Sequence, residues 1–296
     1  MKTKSTIALI MLSVLGLSAC GSDNDTVSEV PVDGHDTAVS DEIILAQRTA
    51  LETNTDGKGF GPQSPRDIDD LYGKSPIAFT AKLPAEEMNL CNIHFHKNAE
   101  HKGGEFTEYA GNGDGHGYGS GYKYSGAALS EAELTATAEE IGASEHGSLH
   151  PGDTIEVHYV YSTAQVEPGP TLGACLNDSI TNPQLRVEAQ VYVLVNDEDA
   201  FDFTDLTAYN NATGKYQALN IPADTGTPIT YTGSTTGPSY NEDGSPFQVS
   251  WSVRPPVAKV HIESVGTWLE GNVFDEDHAH AVRNLVQNAK LLSQIN

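Results

Sequence analysis

The segment Cys91-Asn92-Ile93-His94-Phe95-His96-Lys97-Asn98-Ala99-Glu100-His101 alternates apolar and polar side chains through its middle, the period of a β-strand with one face buried. Successive strand residues point to opposite faces, so His94 and His96 share one face about 6.6 Å apart while Ile93 and Phe95 face the other way. Two imidazoles on rigid strand backbone are half of a tetrahedral metal site. A catalytic zinc needs one more protein ligand and an open position. The best candidate is His158, in Thr154-Ile155-Glu156-Val157-His158-Tyr159-Val160-Tyr161, where Glu156, His158 and Val160 share a face. If that strand pairs beside the first, His158 reaches the metal and Glu156 becomes an acceptor that orients an imidazole.

Outward from these strands, residues 77–83, 185–195, 247–253 and 257–265 are also rich in Val, Tyr and Ile with alternation. They predict a mainly β, α+β fold with a central twisted sheet, mostly antiparallel or mixed, and few peripheral helices. Residues 40–51 predict a short helix capped by Ser40. A Ser-Glu start predicts another short surface helix over 130–141. Val282, Leu285, Val286, Ala289 and Leu292 fall at helical spacing and predict a C-terminal helix over 277–295, with His278 and His280 as solvated residues of its first turn. The glycine-rich run from Gly111 to Gly121 has overlapping G-x-G spacings but no strand before it or helix at its end. It reads as a loop and not as a dinucleotide fingerprint.

The chain of 296 residues, 38% hydrophobic, divides into a leader (1–19), an acidic flexible tether (20–40) and one domain (41–296). Lys2 and Lys4 precede an apolar run that is short for a bilayer span, and Leu17-Ser18-Ala19-Cys20 resembles the lipobox of bacterial lipoproteins. That resemblance implies cleavage before Cys20, a lipid anchor on its thiol, and a periplasmic or cell-surface location on a bacterial membrane. In such an oxidising compartment Cys91 and Cys175 are expected to pair, the alternative being two buried thiols. With 41 acidic against 16 basic residues, a formal charge of −25, the surface repels nucleic acid and gives no attraction to anionic lipid.

Ile93-His94-Phe95-His96, then Ala99-Glu100-His101, then Glu156-Val157-His158-Tyr159-Val160 resemble the H-x-H, S-E-H and E-x-H-x-V pieces of α-type carbonic anhydrases. Tyr231-Thr232-Gly233-Ser234-Thr235-Thr236-Gly237-Pro238 and Val249-Ser250-Trp251-Ser252-Val253 are similar to that family's Thr-bearing turn and V-x-W-x-V strand. The stretch from Cys91 to Glu105 with its glycine-rich continuation resembles most the δ-class relatives. The resemblance implies Zn²⁺ held by His94, His96 and His158, and reversible hydration of CO2 to bicarbonate by a metal-bound hydroxide. It gives Glu100 and one threonine, Thr236 in preference to Thr235, the hydrogen-bond chain that orients the attack. It further implies orienting contacts from Glu156 and Asn92, a CO2 pocket of Val160, Val191 or Val193 and Trp251, and a proton shuttle among His101, His116 and His146. The sequence departs from the α pattern in a short spacer before Glu100, an insertion between His101 and His158, and the lack of Leu before the threonine pair. Two other readings fit part of the pattern. A cupin would use Glu100 as a direct ligand for Mn or Fe. A non-catalytic zinc-binding lipoprotein would close the fourth position with His101 or Glu100.

Overall fold

A computed structural model describes residues 38–77, 79, 83–235 and 237–296. The leader, Cys20, most of the tether and Thr236 lie outside the described residues. Five strands form the central sheet: β1 (Asn89–Lys97), β2 (Thr154–Ser162), β3 (Leu185–Val195), β4 (Ile229–Ser234) and β5 (Gln248–His261), in the order β1-β2-β3-β5-β4. All neighbours are antiparallel except β3 and β5, which run parallel. The sheet is therefore mixed, as expected. Three helices accompany it, α1 (Asp41–Thr55), α2 (Phe203–Leu206) and α3 (Ile262–Leu269). No helix among the described residues is long and apolar enough to cross a membrane.

Every residue of β2 is buried, because both faces of the sheet are covered. On one face Ile155, Val157, Tyr159 and Tyr161 join Ile93, Phe95 and Tyr192 against Phe203 of α2 and Val265 and Trp268 of α3. Phe95 lies edge-on to Phe203, with ring centroids 5.6 Å apart. Truncating it removes contacts that the rigid sheet cannot collapse to restore, so Phe95→Ala is expected to cost about 3–5 kcal/mol in stability. A denaturant midpoint shift worth less than about 1 kcal/mol would show that this face is not a structural core. The opposite face carries Val160, Val187, Ala189, Val191, Tyr231, Val249, Trp251 and Val253, and it is here that His94, His96 and His158 project.

Cys91 and Cys175 form the expected disulfide, closing 84 positions of sequence. In the chain-entropy picture a loop of that size stabilises by about 4–5 kcal/mol.

Three sequence-based expectations fail. Residues 277–295 are not helical; only Ala289–Leu291 makes a single 3-10 turn, and the helix nearest the C-terminus is α3. The backbone donors of this segment find partners far away in sequence: His280 N–H bonds Phe95, Val282 bonds Gly117 and Val286 bonds Pro65. Ala281, Val282 and Arg283 are consecutive and all buried, a pattern of an extended strap covered on both sides. Its apolar stripe is tertiary packing that mimics helical spacing. Over 130–141 Ser130 and Glu133 do exchange capping hydrogen bonds, but the Glu133 carbonyl accepts from Asn196 and the turn goes no further. Of the strand expected over 77–83, residues 77, 79 and 83 are not in a strand, and the other four lie outside the described residues.

The glycine-rich run is a loop, as read. Gly117 has φ of 103°, and a Cβ there would meet the Val282 carbonyl oxygen at 2.1 Å. Only glycine lets this loop lie against the strap.

Candidate metal centre

Pairing of β1 with β2 sets His94 opposite His158 and His96 opposite Glu156, and residues directly opposite share a face. The three imidazole centroids stand 4.8–5.2 Å apart. Each ring donates one N–H outward. His94 Nδ1 bonds Asn92 Oδ1 at 2.6 Å, His96 Nδ1 bonds the Ala281 carbonyl at 2.7 Å, and His158 Nε2 bonds Glu156 Oε1 at 2.9 Å. These partners fix the tautomers and leave three lone pairs, on His94 Nε2, His96 Nε2 and His158 Nδ1, directed at one another. His94 Nε2 and His158 Nδ1 are 3.3 Å apart, and buried His96 Nε2 has no hydrogen-bond partner among the described residues. Facing lone pairs repel unless a cation lies between them. Donors 2.0–2.1 Å from a tetrahedral zinc stand about 3.3 Å from each other, the separation of His94 Nε2 and His158 Nδ1, and the three residues' ligand atoms all lie within 4.8 Å of one another, so the set can hold a metal ion.

Glu156 is completely buried and joined on both oxygens: His101 Nδ1 donates to Oε1 at 2.6 Å and His101 N–H to Oε2 at 3.1 Å. Burial works to raise its pKa, but His101 and His158 together hold it well below the usual carboxylate range. Tyr231 O–H completes the chain by donating to His101 Nε2 at 2.7 Å. His101, Glu156 and His158 are also close enough to hold a metal, yet their hydrogen bonds satisfy one another. The triad of histidines alone leaves its donors unmet. Glu100 is buried; Oε1 accepts Arg283 N–H at 2.7 Å, while Oε2 has no partner among the described residues. Its closest approach to His96, 3.7 Å, is to Nδ1, the nitrogen turned away from the centre. Burial raises its pKa.

Burial, reinforced by neighbouring imidazoles, lowers the pKa values of His94, His96 and His158, that of His96 to about 4. A histidine whose folded pKa is depressed gives stability that is fully present above its unfolded pKa of about 6.5 and is lost as pH falls toward the folded value. The metal-free domain is therefore expected to lose stability between pH 6.5 and 4, by roughly 3 kcal/mol from His96 alone. Urea midpoints measured across that range check this; a midpoint that stays level would contradict it.

The strap supplies what sequence reasoning missed: the Ala281 carbonyl, the Arg283 N–H and His280. The Arg283 guanidinium is buried, donating to the carbonyls of Ser64 and Tyr240 and to Gln63, and burial brings its pKa down to about 10. An arginine within the apolar run Ala281–Val286 was the available signal. His280 is exposed, as expected, with 46% of its side chain open to solvent, but its ring centroid also lies 5.4 Å from that of His94 and its Nε2 pairs with Glu276 at 2.5 Å.

Of the shuttle candidates, His101 is wholly buried with both ring nitrogens engaged, so it has no route to solvent. His116 is exposed on the glycine loop. His146 stacks on Tyr118 with centroids 3.4 Å apart, and both line, with His280, a cavity of about 20 Å³, room for about one water. Val187 joins the expected apolar wall, a residue that sequence reasoning did not name. Register places Val187 opposite both Val160 and Trp251, whereas Val191 lies opposite Glu156 and Val193 opposite Thr154. Thr235 Oγ1 is engaged by Ser245 Oγ.

The family model for delta carbonic anhydrase matches residues 85–264, more than half of the sequence. The chain belongs to the delta carbonic anhydrase family. In this delta carbonic anhydrase chain the matched residues span β1 to the start of α3 and include every member of the histidine triad. Among solved structures, similarity is found to an alpha-carbonic anhydrase from Thermovibrio ammonificans in complex with the inhibitor sulfanilamide, at 15% identity and a TM-score of 0.27, covering 80% of this chain and 88% of that one. The alpha-carbonic anhydrase of Photobacterium profundum is similar at 14% identity and a TM-score of 0.25, covering 80% and 93%. No curated protein matches the sequence.

Proposed function

We propose that this domain binds one Zn²⁺ through His94 Nε2, His96 Nε2 and His158 Nδ1 and hydrates CO2 reversibly to bicarbonate. The observation that carries the reading is the convergence of three imidazole lone pairs, two of them 3.3 Å apart, each backed by an outward hydrogen bond. Such partners raise ligand basicity and fix ring orientation. In carbonic anhydrases as a class, zinc makes water a nucleophile near neutral pH, with a pKa of about 7.

The chain's own residues do the rest. Val160, Val187 and Trp251 form an apolar wall beside the triad, suited to an uncharged substrate. Glu100 Oε2, without a partner among the described residues, is the acceptor that the family resemblance assigns to a threonine hydroxyl, Thr236 in preference to Thr235. His280 packs against His94 and reaches solvent, which supports a role for it in carrying the proton away. Of the groups that the competing readings would use, His101 has both ring nitrogens engaged by Glu156 and Tyr231, and Glu100 Oε1, its oxygen nearest His96, accepts the Arg283 N–H. The lipid anchor at Cys20 belongs to the same proposal and is testable by intact mass. Zinc stoichiometry by elemental analysis, with CO2 hydration measured on the 41–296 domain, tests the function. A metal-free protein that hydrates CO2 as fast as the loaded one would end this reading.

A further inference from the structure

We infer that the Cys91–Cys175 bridge is a positioning element of the metal centre, acting through the turn Pro168-Gly169-Pro170 on Asn92 and thereby on His94. The inference rests on the metal-site reading above.

Pairing of β1 with β2 skips one residue: Leu90 lies opposite Tyr161 and Asn92 opposite Val160, so Cys91 is the extra residue of a β-bulge. Bulges re-aim side chains next to functional sites. Leu90 packs into the core beside α3, while Cys91 packs into the core on the metal side. The bridge and Asn92 are thus brought side by side on the face that holds the imidazoles.

Gly169 is tied to both. Its N–H donates to the Cys91 carbonyl at 3.0 Å, and its own carbonyl accepts Asn92 Nδ2 at 3.1 Å. The second bond decides the orientation of the amide. With Nδ2 committed to Gly169, Oδ1 must face His94, and an oxygen there requires a proton on His94 Nδ1 and leaves Nε2 bare for a metal. A flipped amide would present N–H groups to His94 and favour the wrong tautomer.

The Gly169 carbonyl is held with little freedom. Prolines on both sides have fixed φ, and the bridge at Cys175 fastens the segment six residues on. Between them Thr171 has φ of 55°, a left-handed conformation that a β-branched residue adopts only when its surroundings impose it. The Cys175 carbonyl is itself held by Ser162 Oγ at 2.6 Å. Both cysteines are fully buried.

A bridge that merely stabilised the fold would act on zinc affinity independently of Asn92; a bridge that acts through Asn92 would not. The test is a mutant cycle on the zinc dissociation constant, measured by chelator competition with wild type, Asn92→Ala, the pair Cys91→Ser/Cys175→Ser, and all three changes together. Asn92→Ala and the cysteine pair are each expected to weaken zinc about 10- to 100-fold, and the triple variant no more than about twofold beyond Asn92→Ala. Unchanged affinity in the cysteine pair, or the same loss with and without Asn92, would overturn the inference. Should the cysteine pair not fold, Gly169→Pro keeps the bridge but removes the N–H donated to Cys91. It is expected to weaken zinc to a similar extent only when Asn92 is present, and unchanged affinity there is equally fatal. Wild type that takes up no zinc would overturn the metal-centre reading and this inference with it, whereas tight zinc binding without coupling would overturn the inference alone.

Discussion

Replacing His158 by alanine is expected to remove zinc and CO2 hydration together. His158 contributes one of three donors, and it also carries the link through Nε2 to Glu156, so its loss strips the centre of a ligand and releases a buried carboxylate from one partner. The expected fall in metal affinity exceeds the roughly 10- to 100-fold typical of losing an outer hydrogen-bond partner. Elemental analysis after gel filtration reads it directly, with circular dichroism to confirm that the sheet persists. Full zinc stoichiometry in a folded His158→Ala protein would show that the third ligand has been misidentified.

Glu100→Gln should separate what His158→Ala leaves joined. The amide keeps the shape of the side chain and an oxygen for the Arg283 N–H, so the strap stays in place and the triad keeps its metal. What changes is Oε2, the free acceptor. A glutamine can present N–H there, reversing the direction of the hydrogen bond assigned to Thr236. Losing one preorganised polar contact of this kind typically costs about 10²-fold or more in rate. Zinc retained with hydration slowed by that factor is the expected result. Zinc lost would make Glu100 a ligand, as in a cupin; zinc and full activity both retained would leave Glu100 without a part in the chemistry.

The triad was legible in the sequence because a strand's period of two leaves no choice. Once Ile93-His94-Phe95-His96 is a strand, its two histidines share a face, and the same holds for Glu156 and His158. What depended on register was less accessible. Val187, and not Val191 or Val193, belongs opposite Val160 and Trp251, a fact set by the pairing of β2 with β3 and β5 and not by any local pattern. The strap was misread for a related reason. Val282, Leu285, Val286, Ala289 and Leu292 match a helix in spacing, but the hydrogen bonds that decide the backbone are made to Phe95, Glu100, Gly117 and Pro65, which no window of neighbouring residues contains. Nothing in the sequence separates His101 from His116 and His146 as shuttle candidates; its burial goes with bonds to Glu156 and Tyr231, which lie 55 and 130 positions away.

The strap also sets an order in time. His96 is braced by a carbonyl 185 positions further along the chain, and Glu100 by an N–H 183 positions further. At about 5–20 residues per second, a ribosome reaches Ala281 roughly ten to forty seconds after it has made His96. Throughout that interval the carbonyl that holds His96 Nδ1 does not yet exist, so the orientation of that ring is unset even after His158, 62 positions on, has been made. The strap is therefore the last part of the site to be made, and the arrangement of His96 and Glu100 described above belongs to the finished chain alone.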